Sequence, residues 1–288
     1  MKRCLLFALV LSFISAVAVA ETPEKVRLVY KFQPGETYRQ EMVMNMDMKV
    51  QGQTIKQTIT QVIENKVGEV SPDGTASLKM TITRMHGKME GIQAGEFDSN
   101  EFDKATGPFK TLAGTFKGIV GGASDITISA RGESKLIKVS EGLEQATKGI
   151  AGGMLSGDSL KQLTETSSLV FPDEGVSPKQ SWKQEQALNS PLGKIKIVRS
   201  YTAVGPTDEG LYKFDLKVET EIEGGPKLPG AKVEFDDGIG HILFDQPRGR
   251  LAYLEVTQPV SVSFGPNVIE QEVKTVLKLL DDEPQPTK

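Results

Sequence analysis

Cysteine is all but missing from this chain of 288 residues, the one exception being Cys4. It precedes an apolar run, Leu5 to Val17, that follows Lys2 and Arg3 and ends at the small residues Ala18-Val19-Ala20. That order reads as a secretory signal peptide over residues 1–20, too short for a membrane anchor. A lipoprotein signal would carry its cysteine at the cleavage point, so lipid attachment is not expected. Cleavage after Ala20 leaves a cysteine-free mature chain. Disulfides, thiolate metal sites and cysteine nucleophiles are thereby excluded from it, and stability must come from burial. The expected location is periplasmic or extracellular.

Other shortages narrow the function. The formal net charge of the whole chain is only −4, and Lys2 and Arg3 leave with the signal, so the mature surface is mildly acidic. Nucleic acid and anionic lipid surfaces are disfavoured as partners. No further run is long enough to cross a membrane as a helix. There are two histidines and one tryptophan. A Ser-His-acid triad would have to use His86 or His241, and no nucleophile-elbow pattern occurs. His241 has Asp236, Asp237 and Asp245 near it in sequence, but the spacing matches no metal loop, and acids beside glycine turns are usually solvated. Gly238-Ile239-Gly240 lacks the third glycine of a dinucleotide loop and reads as a strand bend. A carboxylate pair for glycoside hydrolysis is set in space and cannot be read from spacing, yet Trp182 alone is a poor sugar platform. No catalytic residue, metal ligand or cofactor is expected, and the chain is read as a non-enzyme.

What is present is alternation. Met42, Met44, Met46, Met48 and Val50 alternate with Val43, Asn45, Asp47 and Lys49, which gives one strand an apolar and a polar face. A turn at Gln51-Gly52-Gln53 leads to a return strand from Thr54 to Glu69. Ser71-Pro72-Asp73-Gly74 has proline to fix φ and glycine to close the turn. Ala76, Leu78, Met80 and Ile82 line the next strand. A similar plan begins at Trp182, as the first begins at Tyr38, and continues through Lys194 to Val204 and through Tyr212, Phe214, Leu216, Val218 and Ile222. Strands are also expected at Ile239 to Asp245, Leu251 to Val256, Val260 to Phe264 and Val268 to Leu280. Tyr38 and Trp182 read as aromatic plugs at the ends of a core. Phe109, Leu112, Phe116 and Ile119 have helical spacing, Asp125 to Val139 reads as a hairpin, and helical patterns follow at Leu143, Ala146, Ile150 and Met154 and at Leu160, Leu163 and Leu169. Gly149, Gly152, Gly153 and Gly157 weaken that last region.

The expected fold is α+β and mainly antiparallel: a long, curved, meandering sheet, an internally duplicated half-barrel with a short helical insert as a lid. One β-rich domain spans 21–280, with halves at about 26–142 and 176–280 and the insert at about 143–170. Residues 281–288, acidic and proline-rich, form a disordered tail.

Several phrases carry a resemblance: Tyr30 to Tyr38 (YKFQPGETY), Val70 to Ala76 (VSPDGTA), Phe97-Asp98-Ser99-Asn100, Phe171-Pro172 followed by Ser181-Trp182, and Gly238-Ile239-Gly240 with Arg248-Gly249-Arg250-Leu251. On these, nearly all of the mature chain resembles a family of uncharacterised exported bacterial proteins of planctomycete type, which implies no activity, cofactor or site residue. More distantly, the architecture is similar to lipoprotein-carrier half-barrels, which hold acyl chains under a helical lid.

The methionine stripe is the candidate site. Methionine is flexible and polarisable and suits surfaces that take varied apolar ligands. A strand from Tyr38 to Val50 would span about 43 Å at ~3.3 Å per residue, and long strands twist and coil into a concave face. Met42, Met44, Met46 and Met48 are thus expected to line an apolar groove, with Leu143, Ile150 and Met154 of the helical pieces above it. The competing expectation is that the same side chains are filled core beneath those helices. The leading function is non-enzymatic binding of an apolar or amphipathic small molecule. The alternative is a cell-envelope structural or protein-interaction module using sheet edges, and the third is an envelope hydrolase.

Overall fold

A computed structural model describes residues 25–50, 52–92, 94–149, 168–190, 193–224 and 230–280. The expected signal peptide, the expected tail and the 150–167 stretch, with Ile150 and Met154, lie outside the described residues. Among the described residues the fold is mainly antiparallel β, as the alternation requires, with two short α-helices.

The first meander is β1 (Thr37–Val50), β2 (Gln53–Val70), β3 (Ala76–Glu90), the short β4 (Gly95–Asp98), β5 (Ala123–Ile128) and β6 (Ser134–Val139). The second is β7 (Ser181–Ser190), β8 (Gly193–Pro206), β9 (Leu211–Glu223), β10 (Ala231–Phe235), β11 (Gly238–Asp245), β12 (Arg250–Phe264) and β13 (Asn267–Leu280). Both belong to one open 13-stranded sheet with the order β6-β5-β3-β2-β1-β13-β12-β11-β9-β8-β7. The first strand meets the last in the middle, where Met44 faces Thr275 and Met46 faces Val273. Each meander progresses in the same direction across the sheet.

The turns follow their chemistry. Gly74 sits at φ +81, its N–H donates to the Ser71 carbonyl at 2.9 Å, and Asp73 Oδ1 accepts the Thr75 N–H at 3.0 Å. Two strands expected at Leu251 to Val256 and Val260 to Phe264 are instead the single strand β12. Pro259 does not break it because it stands where the neighbouring strand changes. Pairing with β11 ends at Thr257, pairing with β10 begins at Val260, and the absent Pro259 N–H falls at that fork.

The sheet curls until its edges approach, but β6 and β7 do not pair. One end of the gap is bridged by the segment around Leu169 to Phe171. The Phe171 N–H donates to the Arg131 carbonyl at 2.9 Å, beside the β5–β6 turn. On the other side Trp182 Nε1 donates to the Val170 carbonyl at 3.0 Å, and Gln184 Oε1 accepts the Val170 N–H at 3.2 Å. Leu169, expected within a helix, is not helical and is buried in this bridge. The N-terminal segment packs beside it: Val26 forms a bridge with Val176, and the Tyr30 hydroxyl donates to the Leu169 carbonyl at 3.2 Å. The main core fills this end, with Tyr30, Phe171, Tyr212, Phe214 and Phe244 in mutual contact and Tyr38 and Trp182 packed at its margin.

A second ion-supported joint ties the two meanders together. Arg250 Nη2 donates to both Glu36 oxygens at 2.9 and 2.8 Å, and its guanidinium lies 4.5 Å from the Tyr38 ring centroid. The arginine side chain is 10% exposed and the glutamate 31%. Arg250→Ala removes the ion pair, the cation–π contact and the packed stem together, so a loss of about 2–3 kcal/mol is expected, below the usual range for a fully buried pair because Glu36 reaches solvent. Urea titration of both proteins checks this, and an unchanged midpoint would refute the joint.

Candidate functional site

Side-chain direction follows from register. The face of β1 carrying Tyr38, Gln40 and the methionines is the face on which Phe214, Ile242 and Met85 build the core, so it is the inner face of the curl. One row can be followed across nine strands: Gln184, Arg199, Val218, Gly238, Gln258, Val273, Met46, Gln57 and Met89. The row nearer the packed end contains Tyr201, Leu216, Val256, Thr275, Met44 and Ile59.

Burial divides this inner face. At the packed end and along β8, β9 and β11, Ala203, Tyr201, Phe214, Leu216, Val218 and Ile242 are buried. On the central strands β12, β13, β1 and β2 the inward positions are only half-buried. This holds for Met42, Met44, Met46 and Met48, for Leu277, Thr275, Val273 and Gln271, for Leu254, Val256, Gln258 and Val260, and for Ile55, Gln57, Ile59 and Gln61. Every one of these is apolar or a neutral amide or hydroxyl. The opposite face of the same strands carries Glu41, Asp47, Lys49, Lys56, Glu255, Glu270, Glu272 and Lys274. Charge outside and none inside is how alternation marks a sheet with a protected inner wall.

The helices lie to one side of the stripe. α1 (Phe109–Ile119) and α2 (Glu141–Gly149) form a second core with Phe97, Met85 and Met89. Phe97 rests directly over Gly87, where a Cβ would run into its ring. Ile59, opposite Met44, joins this cluster to the stripe. Leu143 is 7% exposed and packs against Gly122 at the end of α1, not on the methionines. Of the predicted site, then, the four methionines share one wall, and Leu143 sits in the neighbouring helical core.

Sequence reading missed two features of this wall. The neutral amides Gln57, Gln61, Gln258 and Gln271 intersperse the apolar side chains, and nothing but register could have placed them together. The second is Arg199, a charged side chain on the inward row of β8, as Arg250 of β12 is a charged side chain against the inner-face ring of Tyr38 at the packed end. Arg199 Nη1 donates to Gln186 Oε1 at 2.8 Å, and burial pulls the guanidinium below its usual pKa. Burial also pushes Tyr201, its neighbour on β8, up to about 12.

The histidines lie outside the inner wall. His86 is within β3, and its Nε2 is 2.9 Å from Glu96 Oε1 on the outer face. The His241 ring tilts against Tyr253 with centroids 5.3 Å apart. Asp237 pairs with Lys217 at 2.9 Å, and Asp245 Oδ1 accepts the Arg248 N–H at 2.8 Å. Among the described residues no cluster of His, Asp or Glu is placed to hold a metal. A broad cleft of about 920 Å³ opens at the far end of the strands, but its rim is acidic, with Asp47, Glu221, Glu234, Glu270 and Glu272, and it contains none of the methionines.

No known family model and no curated protein matches the sequence, so the likeness to planctomycete-type exported proteins rests on the phrases quoted above. Among solved structures the chain is similar to a lipovitellin structure concerned with lipid–protein interactions, at 11% identity and TM-score 0.48 over 90% of this chain. It spans 26% of that chain. It is also similar to the translocator domain of the autotransporter NalP from Neisseria meningitidis, at 6% identity and TM-score 0.22, covering 84% of this chain and 87% of that one. A third is OccK5 (OpdH) of Pseudomonas aeruginosa, at 8% identity and TM-score 0.25, covering 86% and 98% respectively. All three scores are low. Among the described residues no helix is long and apolar enough to cross a membrane.

Proposed function

We propose that this chain is an exported, non-enzymatic binding protein that holds an amphipathic small molecule against the inner wall of β12, β13, β1 and β2. The observation that carries the reading is the contrast across those four strands: the half-buried inward positions Met42 to Met48, Gln271 to Leu277, Leu254 to Val260 and Ile55 to Gln61 are uncharged, and the outward positions include Glu41, Asp47, Lys49, Lys56, Glu255, Glu270, Glu272 and Lys274. Half-exposed apolar surface on this scale is unfavourable in water unless something occupies it. The methionines can adapt to an irregular guest, and the interspersed glutamines can hydrogen-bond its polar groups. Export rests on the Lys2-Arg3, Leu5 to Val17 and Ala18-Val19-Ala20 pattern, and a single domain over 21–280 is part of the same reading.

The outer face disfavours a lipid-facing barrel wall. Lys and Arg on such a wall cost about 2–4 kcal/mol each near the bilayer midplane, and Lys49, Lys56, Lys196 and Lys274 all point outward.

Two measurements test the reading. Protein purified without detergent is extracted with organic solvent and analysed by mass spectrometry, with an amphiphile expected in near-stoichiometric amount. Stripped protein is then titrated with the neutral dye Nile red, whose fluorescence is expected to rise saturably. Empty protein that gives no saturable rise would overturn the binding role and leave the envelope interaction module.

A further inference from the structure

Methionine is concentrated on one part of the sheet. Seven of the nine methionines in the chain belong to β1 and β3. The three on β3 are committed to packing: Met80 lies against the main core, and Met85 and Met89 belong to the helical one. Met42, Met44, Met46 and Met48 differ. They are half-buried, and among the described residues none of the four packs against either core. Alternate residues on one strand face stand about 6.6 Å apart. At the ~2.3 Å usual for a metal–sulfur bond, three sulfurs around one cation stand about 4 Å apart. The rotatable bonds of each methionine let its sulfur close that difference. The residues beside the stripe offer no competing donor of higher charge. Leu277, Thr275, Val273 and Gln271 of β13 lie on one side, and Gln61, Ile59, Gln57 and Ile55 of β2 on the other. None is a carboxylate, an imidazole or a thiol.

We propose that Met42, Met44, Met46 and Met48 form a thioether site for one soft monovalent cation, of the Cu(I) or Ag(I) class. This goes beyond the amphiphile role and does not depend on it. Two properties of the donors choose the ion. Thioether sulfur is soft and suits Cu(I), whereas Mg(II) and Ca(II) require oxygen ligands. Thioether sulfur is also uncharged. With no anion among the flanking inward positions, Zn(II) would keep its full double charge against an uncharged wall, and a monovalent ion keeps half of it. The site explains why methionine stands where strands favour β-branched residues. It also explains the spacing, because methionine at every second residue from 42 to 48 keeps each sulfur within reach of the next. Met44 and Met46 have a methionine on both sides, so any set of three neighbouring sulfurs includes them both.

The test is equilibrium dialysis of the tag-free full-length mature protein under nitrogen against Cu(I) kept reduced by ascorbate, Ag(I), Zn(II) or Ca(II), with bound metal counted by mass spectrometry. One Cu(I) or one Ag(I) per chain is expected, with no Zn(II) or Ca(II) retained at the same concentration. X-ray absorption of the copper-loaded protein should show a first shell of sulfur alone, at about 2.3 Å. Replacing Met44 and Met46 together by leucine keeps volume and apolarity. That variant should bind Cu(I) at least about 100-fold more weakly, since loss even of an outer-shell partner costs about 10- to 100-fold. Its Nile red binding should change little, because the wall stays apolar. Met89→Leu, off the stripe, should bind Cu(I) as the wild type does. Wild-type protein that retains neither Cu(I) nor Ag(I), or retains Zn(II) equally well, would overturn the site. So would a first shell of nitrogen or oxygen, or a folded leucine double variant that binds Cu(I) undiminished. None of these results touches the amphiphile role, which the dye titration decides by itself, and Cu(I) held by protein that ignores Nile red would remove that role and keep the metal site. Should the double variant not fold, Met44→Leu and Met46→Leu singly and the wild-type first shell decide the matter.

Discussion

Phe171→Ala is expected to destabilise the protein by about 3–5 kcal/mol, the range for a large aromatic removed from a packed core. Phe171 is 1% exposed and touches the rings of Tyr30, Phe214 and Phe244, with centroids 5.8, 5.9 and 4.9 Å away. These rings come from three distant parts of the chain, so no single neighbour can shift to refill the space. The effect should exceed that of an ordinary core truncation for a topological reason. The open sheet has two edges that do not pair, and the Leu169 to Phe171 bridge is what joins them at the packed end. Loosening it exposes Ile126 and Ile128 on one side and Trp182 and Tyr201 on the other. A fall in melting temperature of roughly 10 °C should accompany the loss, given the few degrees per kcal/mol usual at this chain length. Denaturant unfolding of the two proteins measures it. A change below about 1 kcal/mol would show that the bridge is not what holds the curl closed, since that is the scale of an ordinary surface substitution.

The contrast between the bridge and the strands shows where sequence is informative. β9 is legible because Tyr212, Phe214, Leu216 and Val218 alternate with Lys213, Asp215, Lys217 and Glu219, a period that only a half-buried strand satisfies. α1 is legible because Phe109, Leu112, Phe116 and Ile119 have helical spacing, and the structure forms it over Phe109–Ile119. The bridge has no period. Leu169 and Phe171 flank Val170 in an irregular segment whose backbone groups are satisfied by Arg131, Gln184 and Trp182, all remote in sequence. Leu169 looked helical because apolar residues happen to precede it at helical spacing. Pro259 misled in the other direction, since proline inside a strand is permitted only where a partner is absent, and the fork supplying that absence is a tertiary feature.

The candidate wall was half legible for the same reason. Alternation on β1 assigns the methionines to one face without reference to any other strand. It cannot say which strand lies beside them. The pairing of β1 with β13 joins residues more than two hundred positions apart, and it is this pairing that brings Gln271 and Val273 next to Met46 and Met48. Arg199 reads locally as one cation in a mixed strand, between Val198 and Ser200. Only the register from β8 through β11 to β12 turns it inward and puts it in the row of Met46.

Replacing Met44 and Met46 together by aspartate should weaken binding of Nile red, or of the natural guest, by at least about 100-fold, since each carboxylate would have to be desolvated against an apolar ligand. The variant tests the wall more sharply than a truncation would. Alanine at both positions would enlarge the space and still accept an apolar molecule, whereas two negative charges at the centre of the wall cannot be hidden by a small shift. Stability should change much less than binding, because both side chains are half-buried rather than sealed and solvent can reach the new carboxylates. The two expectations separate the groove from a filled core. If the methionines were packed solid against the protein's own chain, aspartate would unfold it, by the same desolvation that would otherwise repel the guest. Circular dichroism and urea titration of the double variant, read beside its dye titration, distinguish the cases: a folded protein without binding places the guest on the methionine wall, a folded protein that still binds places it elsewhere, and an unfolded one makes the stripe core.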